Sequence, residues 1–200
     1  MSGRARTFFR EWLSVLITGA VILFARASLA DHYRVPSGSM EPTVLVGDQI
    51  CVNKLAYGLR VPASQAYLAP FAEPRRGDVV VLDSPTDDEV LLKRIVAGPG
   101  DVVAVVDGVV KISGVPTDTH IVNGRRVEEL DGRAHPLNLE FGSGPALGPV
   151  RVPVGRYLVL GDNRGNSRDG RYFGWVERGA ILGRAVAVCV RDGRLAWNPL

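Results

Sequence analysis

Short apolar runs separated by turn-forming residues dominate the chain after residue 75. Val79 to Leu82 is a continuous apolar run that follows Arg76-Gly77-Asp78, which predicts a buried strand after a turn. Asp107-Gly108 and Asn123-Gly124 each separate two apolar runs, as they do in hairpins with two-residue turns. Other runs with a strand pattern cover residues 49–54, 90–97, 152–160 and 181–190. This pattern favours a mainly β fold.

Stretches rich in proline, glycine and polar residues mark the loops between these strands. Residues 58–76 contain many Pro, Ala and Gly residues and predict a loop, while Pro85 to Glu89 predicts a solvated, acidic hairpin tip. The region 101–150 combines both hairpin signals with a polar tail rich in Gly and Pro. We therefore predict a β-rich core over 31–100 and 151–200, with 101–150 as a smaller inserted β subdomain.

The first 30 residues differ from the rest of the chain. Three arginines precede an apolar run from Trp12 to Phe24, and Arg26 and a segment of small residues follow it. A buried core helix is disfavoured, because no other segment has the pattern of a helical partner. A cleaved signal peptide that ends at Ser28-Leu29-Ala30 fits the pattern, and so does a retained transmembrane anchor over 12–30.

Both of these alternatives put the rest of the chain outside the cytoplasm. The three arginines all come before the apolar run, and basic residues next to a membrane span stay on the cytoplasmic side. In the anchor alternative, residues 1–11 form a cytoplasmic tail and Trp12 lies at the near interface. The predicted location is then the cytoplasmic (inner) membrane, as a single-pass protein with residues 31–200 on the extracytoplasmic face.

Composition excludes several classes of protein. Hydrophobic residues make up 46% of the 200 residues, which is too large a share for a disordered chain. The net charge is +3 and the basic residues are scattered, so we predict no nucleic-acid partner.

The two cysteines, Cys51 and Cys189, each lie in an apolar run. Buried free thiols are the favoured interpretation. A single long-range disulfide stays open if the domain is extracytoplasmic. The sequence has no CxxC motif and no Cys/His cluster, so we predict no metal site.

The segment from Pro36 to Thr43 is the first candidate for chemistry. Prolines near both of its ends favour an extended, locally stiff backbone, and Gly38 lets another backbone approach closely. Ser39 on such a loop, beside apolar Met40, is a candidate nucleophile, and an ordinary turn is the alternative.

A serine nucleophile needs a group that accepts its proton. The three histidines are poor candidates, because two lie in the hairpin region and one lies just after the N-terminal run. Lys93 shares a strand face with Leu91 and Ile95 by the period-two alternation of strands. Burial of that face would lower the lysine pKa and make Lys93 a candidate base. The alternative is a half-exposed strand lysine.

A dense polar loop over 161–171 follows a predicted strand. A calcium loop is excluded, because Arg164 occupies a ligand position and no glutamate closes the loop. A surface turn is one interpretation. In the other, Ser167 orients a buried amine, and Asp169 and Arg171 form an ion pair that holds the loop.

Four motifs therefore follow the apolar N-terminal run in a fixed order: Ser37-Gly38-Ser39-Met40 with Pro42-Thr43, Arg76-Gly77-Asp78-Val79-Val80, Lys93-Arg94 with Gly98 and Gly100-Asp101, and Gly161-Asp162-Asn163-Arg164 with Ser167 and Asp169. Together they resemble the motifs of bacterial type I signal peptidases. The resemblance runs from about Arg10 to Val190 and is weakest over 101–150. One departure is Gly170, where the family often has a serine.

The resemblance implies a Ser-Lys dyad without metal or cofactor, on a mainly β core with an inserted β subdomain behind a single transmembrane helix. Ser39 matches the nucleophile, Lys93 the general base, and Ser37 the hydroxyl that completes the oxyanion hole. The residues that match the supporting shell are Ser167, Asp162, Asn163, Asp169 and Arg171.

The implied activity is cleavage of N-terminal signal peptides from exported preproteins after small residues. The implied partners are the signal peptides, the lipid bilayer and, as a candidate, the secretion translocon. A self-cleaving regulatory Ser-Lys peptidase and a non-catalytic, membrane-tethered β module are the alternatives. The side chains expected to line shallow apolar substrate pockets are Tyr33, Val35, Met40, Val44 and Leu92.

Overall fold

The structure is a computed structural model that describes residues 11–18, 30–60 and 66–200. Residues 11–18 are helical. Within the described ranges, no helix combines the length and the apolar character needed to cross a membrane. Most of the predicted anchor over 12–30 lies outside the described residues, so the anchor stays a prediction.

The described residues form 17 strands. In chain order they are β1 (Ala30–Arg34), β2 (Gln49–Asn53), β3 (Gly58–Arg60), β4 (Tyr67–Pro70), β5 (Val79–Asp83), β6 (Val90–Ala97), β7 (Val102–Val106), β8 (Val109–Ile112), β9 (Val115–Pro116), β10 (Asp118–Val122), β11 (Arg125–Leu130), β12 (Arg133–Pro136), β13 (Leu147–Arg151), β14 (Arg156–Leu160), β15 (Val176–Glu177), β16 (Ile181–Arg191) and β17 (Arg194–Pro199). The prediction of a mainly β fold is confirmed.

Among the described residues after position 30, helical structure is confined to single turns. One α-helical turn, α1, covers Gly170–Phe173, and the side chain of Asp169 caps it by accepting from the Arg171 backbone N–H. The short 3-10 helices cover Gly38–Met40, Arg164–Asn166 and Arg178–Ala180.

The main sheet has eight strands in the order β1-β2-β16-β5-β6-β14-β15, with β17 paired to β16. Its neighbouring strands pair antiparallel. β5 and β6 lie near its centre, and the buried run Val79 to Leu82 forms most of β5 as predicted. This central position explains why a lysine on β6 is removed from water.

Strands between Val102 and Arg151 form two smaller sheets, β13-β7-β8-β9 and β10-β11-β12. Both predicted hairpins are present, as β7–β8 and β10–β11. Val103 and Leu130 from these sheets share a hydrophobic cluster with Val96 and Leu158 of the main sheet. The smaller sheets therefore pack directly on the core, and the domain bounds at 101 and 150 stay a prediction.

Two segments differ from the sequence expectation. Part of the predicted loop over 58–76 forms the two-stranded β3–β4 sheet, and Tyr67 donates a hydrogen bond to the Ile181 carbonyl at 3.1 Å. The predicted strand over 152–160 begins only at Arg156, because Gly155 turns the chain with a φ of 71°. Both errors arise where Gly and Pro dominate the local pattern and tertiary contacts decide the outcome.

Cys51 on β2 and Cys189 on β16 form a disulfide, with their Cα atoms 5.8 Å apart. The favoured expectation of two free thiols is therefore wrong, and the disulfide alternative holds. β2 and β16 are neighbours in the main sheet, where Cys51 pairs with Ala187. The 138 residues that separate the cysteines conceal this proximity in the sequence.

Candidate active site

The 3-10 turn that carries Ser39 is anchored from both sides. Ser39 is buried, and its carbonyl accepts from the Asn163 backbone N–H at 3.1 Å. The Asn163 side-chain amide donates to the Gly38 carbonyl at 3.1 Å. Next to Ser39, Met40 packs in the cluster that includes Val35. These contacts fix the backbone of the turn that carries Ser39.

Gly161 is required by the close approach of the polar loop to this turn. A Cβ atom at Gly161 would lie 2.4 Å from the Ser39 carbonyl oxygen and 2.3 Å from the Ser167 hydroxyl oxygen. Real Cβ atoms do not come this close to a backbone oxygen, so only glycine fits.

Lys93 on β6 lies opposite Val80 on β5 and points its amine at the serine. Its Nζ donates to Ser39 Oγ at 2.8 Å and to the Leu92 carbonyl at 3.0 Å. Lys93 is only 3% exposed, and this burial lowers its pKa to about 8, although Asp169 and Asp162 act in the opposite direction. At pH 7 a lysine with this pKa is neutral in roughly one molecule in ten, against fewer than about one in a thousand at the ordinary lysine pKa.

Ser37 lies on the exposed side of the Ser39 hydroxyl. Its Oγ donates to Ser39 Oγ at 3.5 Å. Unlike Ser39, Ser37 is exposed at the surface. It is therefore close enough to contact a group bound at Ser39.

Asp162 forms a buried ion pair behind the serine turn. Arg94, the neighbour of Lys93, donates to both Asp162 oxygens at 2.8 and 2.7 Å, and Thr43 donates at 2.5 Å. Burial alone would raise the pKa of Asp162, but the Arg94 guanidinium lowers it below the ordinary value. The ionised pair ties β6 to the polar loop and to the segment after the serine.

Asp169 and Arg171 form the second ion pair of the loop. Asp169 accepts from the Gly161 backbone N–H at 3.0 Å and from two Arg171 nitrogens at 2.8 Å each. Arg171 also donates to the carbonyls of Ser143 and Arg164 at 2.6 Å each. The predicted pairing of these two residues is present, and it closes the loop on itself.

Ser167 is buried, but its hydroxyl has no hydrogen-bond partner among the described residues. The predicted contact between this hydroxyl and the Lys93 amine is therefore not made in this structure. The oxygen lies beside Gly161, on the same side as the Ser39 carbonyl. Its role in orienting the amine stays a prediction.

Two cavities meet at Ser39 and Lys93. The more apolar cavity has a volume of about 400 Å³, and Tyr33, Met40 and Leu92 contribute to its wall. Val35 also lines it, but Val44 does not, because Val44 is fully buried in the core beneath the serine turn.

Within the described part of the chain, no cluster of His, Cys, Asp and Glu side chains could hold a metal ion.

The family model for signal peptidases of the peptidase S26 type matches residues 9–190. The chain belongs to this signal peptidase family. Signal peptidase I of Pseudomonas fluorescens is 36% identical over 191 residues, which cover 84% of this chain and 67% of that protein. Signal peptidase I of Aquifex aeolicus is 31% identical over 212 residues, covering 84% of this chain and 78% of that protein. A solved signal peptidase I from Enterococcus faecalis V583 is 29% identical with a TM-score of 0.41, and the match covers 58% of this chain and 99% of that chain.

Family membership confirms the resemblance found in the sequence, and it confirms that the chain is an enzyme of the signal peptidase type. It supports cleavage of signal peptides by a serine peptidase as the general activity. The assignment of individual site residues does not follow from membership, and it rests on the geometry described above.

A buried polar cluster that supports the polar loop over 161–171 was not predicted from the sequence. Arg164 is 1% exposed and donates to Glu128 on β11 and to the Gly108 carbonyl. Glu128 is fully buried and also accepts from Thr117 at 2.8 Å, while His135 Nε2 lies 3.2 Å from it. The sequence carried one signal, since the alternation along β11 puts Glu128 on the same face as the apolar Leu130, but its partner Arg164 lies 36 residues away.

Proposed function

We propose that the chain is a membrane-anchored serine endopeptidase that removes signal peptides from exported preproteins with a Ser39–Lys93 dyad. One observation carries this proposal: the amine of a buried lysine lies 2.8 Å from the hydroxyl of a serine on a constrained turn. A nucleophile within hydrogen-bond distance of a base with a lowered pKa is the arrangement that covalent catalysis requires.

In the first step, neutral Lys93 takes the proton of Ser39, and Ser39 Oγ attacks the carbonyl carbon of the scissile bond. The negative charge that develops on the carbonyl oxygen is stabilised by the Ser37 hydroxyl and the Ser39 backbone N–H. Ser37 Oγ lies 3.5 Å from Ser39 Oγ, so it can contact an oxygen bound to the attacked carbon.

The tetrahedral intermediate then breaks the C–N bond. Protonated Lys93 gives its proton to the leaving nitrogen, which departs as an amine and leaves an acyl-enzyme on Ser39. Lys93, neutral again, takes a proton from water, and the resulting hydroxide attacks the ester. Ser39 recovers its proton from Lys93, and the acid product leaves.

The residues before the scissile bond bind in the apolar cavity beside Ser39 as an extended strand. Tyr33, Val35 and Leu92 line this cavity, and Met40 lines it close to the nucleophile. Met40 is 1% exposed and packs in a core cluster, so the wall at this point cannot retreat to admit a large side chain. Overpacking therefore restricts the position next to the scissile bond to small residues.

The predicted location on the outer face of the inner membrane gives the enzyme access to exported preproteins, and it agrees with the presence of a disulfide. Residues 12–30 anchor the chain in the inner membrane with residues 1–11 in the cytoplasm, and the catalytic core reaches exported chains as they leave the translocon. The Cys51–Cys189 disulfide supports this topology, because disulfides persist mainly outside the reducing cytoplasm.

Preprotein cleavage in membranes tests the dyad. We expect Ser39→Ala and Lys93→Ala to lower the cleavage rate by at least about 10³-fold, as removal of a nucleophile or its base does in other serine peptidases. Lys93→Arg should fail equally, because arginine stays protonated. Membrane fractionation and circular dichroism check that each variant remains anchored and folded. Near-normal cleavage by folded Lys93→Ala would exclude the dyad. Cleavage that is the same for wild type and Ser39→Ala would instead favour a non-catalytic β module.

A further inference from the structure

A second cavity lies on the other side of Ser39 and differs in character from the apolar one. It has a volume of about 260 Å³ and also reaches Ser39 and Lys93. The rest of its wall combines Leu91 and Phe173 with polar side chains, which include Ser84, Asp87, Glu89, Asn166 and Arg168. The hairpin tip between β5 and β6 is exposed to solvent, as the sequence predicted, and its Asp87 and Glu89 also line this cavity.

Arg168 holds this hairpin tip against the loop that carries Ser167. Its guanidinium donates to the Asp87 carboxylate at 2.9 Å and to the Thr86 hydroxyl at 3.1 Å. The pair neutralises the charge of Asp87. It also gives the polar cavity a fixed outer wall, although both side chains stay partly exposed.

Glu89 is the acidic group of this wall that remains without a counter-charge. It lines both the polar and the apolar cavity, so it lies where the two cavities meet. Its carboxylate makes no hydrogen bond or ion pair with another residue in the described part of the chain. Arg34 lines the apolar cavity but not the polar one, so Glu89 is the carboxylate of the polar cavity that has no arginine partner. Its negative charge attracts cations and repels anions.

We propose that the polar cavity binds the residues that follow the scissile bond, and that Glu89 makes this subsite favour a basic over an acidic side chain. The inference rests on the proposed function. The attacked carbonyl must lie at Ser39 Oγ, and the chain before it occupies the apolar cavity. The leaving nitrogen must lie beside Lys93 to receive its proton, so the chain after it continues into the cavity on the other side of Lys93.

The same charge acts on the product. Cleavage releases an α-amino group, which is largely protonated at neutral pH. The new amino terminus forms in the polar cavity, where Glu89 stabilises its positive charge. Before cleavage, Glu89 therefore interacts with the side chains that follow the scissile bond. Once the bond is cut, it interacts with the new amino terminus.

Steady-state cleavage of one preprotein with Lys, Gln or Glu at the first and second positions after the scissile bond tests this inference. Wild type should cleave the Lys substrate about threefold to tenfold better than the Glu substrate in kcat/KM, the range expected for a partly screened charge pair. Glu89→Gln should remove this preference, and Glu89→Lys should reverse it. High salt should weaken the preference of wild type.

Asp88→Asn is the matched control, because Asp88 lies in the same hairpin but lines neither cavity. It should keep the wild-type ratio. Three outcomes would overturn the inference. The ratio of kcat/KM for the Lys and Glu substrates could be near one in wild type, or it could be unchanged in Glu89→Lys. The third is a charge effect confined to positions before the scissile bond. Failure of the proposed function would give a different result from failure of this inference, because wild type would then leave even the Gln substrate uncut.

Discussion

At residue 93, burial lowers the pKa of a strand lysine to about 8, as the proposed role of Lys93 as a base requires. The surroundings of Lys93 combine a serine hydroxyl and the Leu92 carbonyl with two carboxylates, Asp162 and Asp169, that are each neutralised by an arginine. If either carboxylate were unpaired, its charge would favour the ammonium form of Lys93 and raise the pKa. In the proposed mechanism, the arginine partners therefore help to keep the Lys93 amine neutral.

The pH dependence of cleavage follows from this environment. Lys93 must be neutral to accept the serine proton, and its pKa is lowered to about 8. We expect kcat/KM to rise with pH, by about tenfold per unit below the pKa, and to level off above it. The measurement is initial cleavage rate between pH 5 and 10 at low substrate concentration. A rate that stays constant down to pH 6 would contradict a lysine base.

At the scale of elements, the loop after β14 is held by groups from the small sheets as well as from the core. Asn138 donates from its backbone to the Asp162 carbonyl at 2.9 Å and accepts from the Arg164 backbone N–H at 3.0 Å. Glu128 on β11 pairs with the Arg164 side chain in a fully buried ion pair. The small sheets and the segment after them therefore support the polar loop over 161–171 from behind.

Removal of one partner of this buried pair should destabilise the fold strongly. Glu128→Ala leaves the Arg164 guanidinium buried without its counter-charge, which costs about 3–5 kcal/mol of unfolding free energy. Glu129→Ala, on the opposite face of the same strand, serves as the control and should cost less than about 1 kcal/mol. Urea denaturation monitored by circular dichroism gives both values, and equal losses would contradict the role of the pair.

The pH dependence of stability has a defined sign for Glu128. Burial would raise its pKa, but Arg164 and His135 lower it below the ordinary carboxylate value. Folding therefore stabilises the ionised form. This contribution is complete above the pKa of the unfolded chain and is lost as the pH falls through the lower pKa of the folded state. In Glu128→Ala the loss of stability on acidification should accordingly be smaller than in wild type.

At the scale of the whole molecule, the disulfide joins the beginning and the end of the core. It links β2, which follows the serine turn, to β16, the longest strand of the main sheet. Ile50, next to Cys51, lines the apolar cavity. The cross-link therefore holds the strand behind the substrate site to the centre of the sheet.

The double substitution Cys51→Ser and Cys189→Ser should lower the free energy of unfolding by about 2–4 kcal/mol, because the closed loop is long. A reducing agent should produce a similar loss in wild type and none in the double variant. Equilibrium denaturation with and without dithiothreitol makes the comparison. Equal stability of wild type in both conditions would show that the cross-link contributes little.

Features that depend on neighbouring residues were predictable from the sequence. The runs that form β5, β6, β7 and β8 were located correctly, since their apolar patterns and their Gly-containing turns are local signals. The candidate base Lys93 could also be identified, because the alternation along β6 put it on an apolar face.

Only the tertiary structure decided which distant groups come together. Arg94 meets Asp162 across 68 residues, Arg164 meets Glu128 across 36, and Cys51 meets Cys189 across 138. Such pairs depend on the order of strands in the sheets, which no local pattern encodes. The same reason explains why the exposed hairpin tip could not be placed beside Ser39 from the sequence alone. The sequence by itself determined most of the core strands and the candidate residues Ser39 and Lys93, because these depend on local patterns, and the packing of the sheets determined which distant groups surround them.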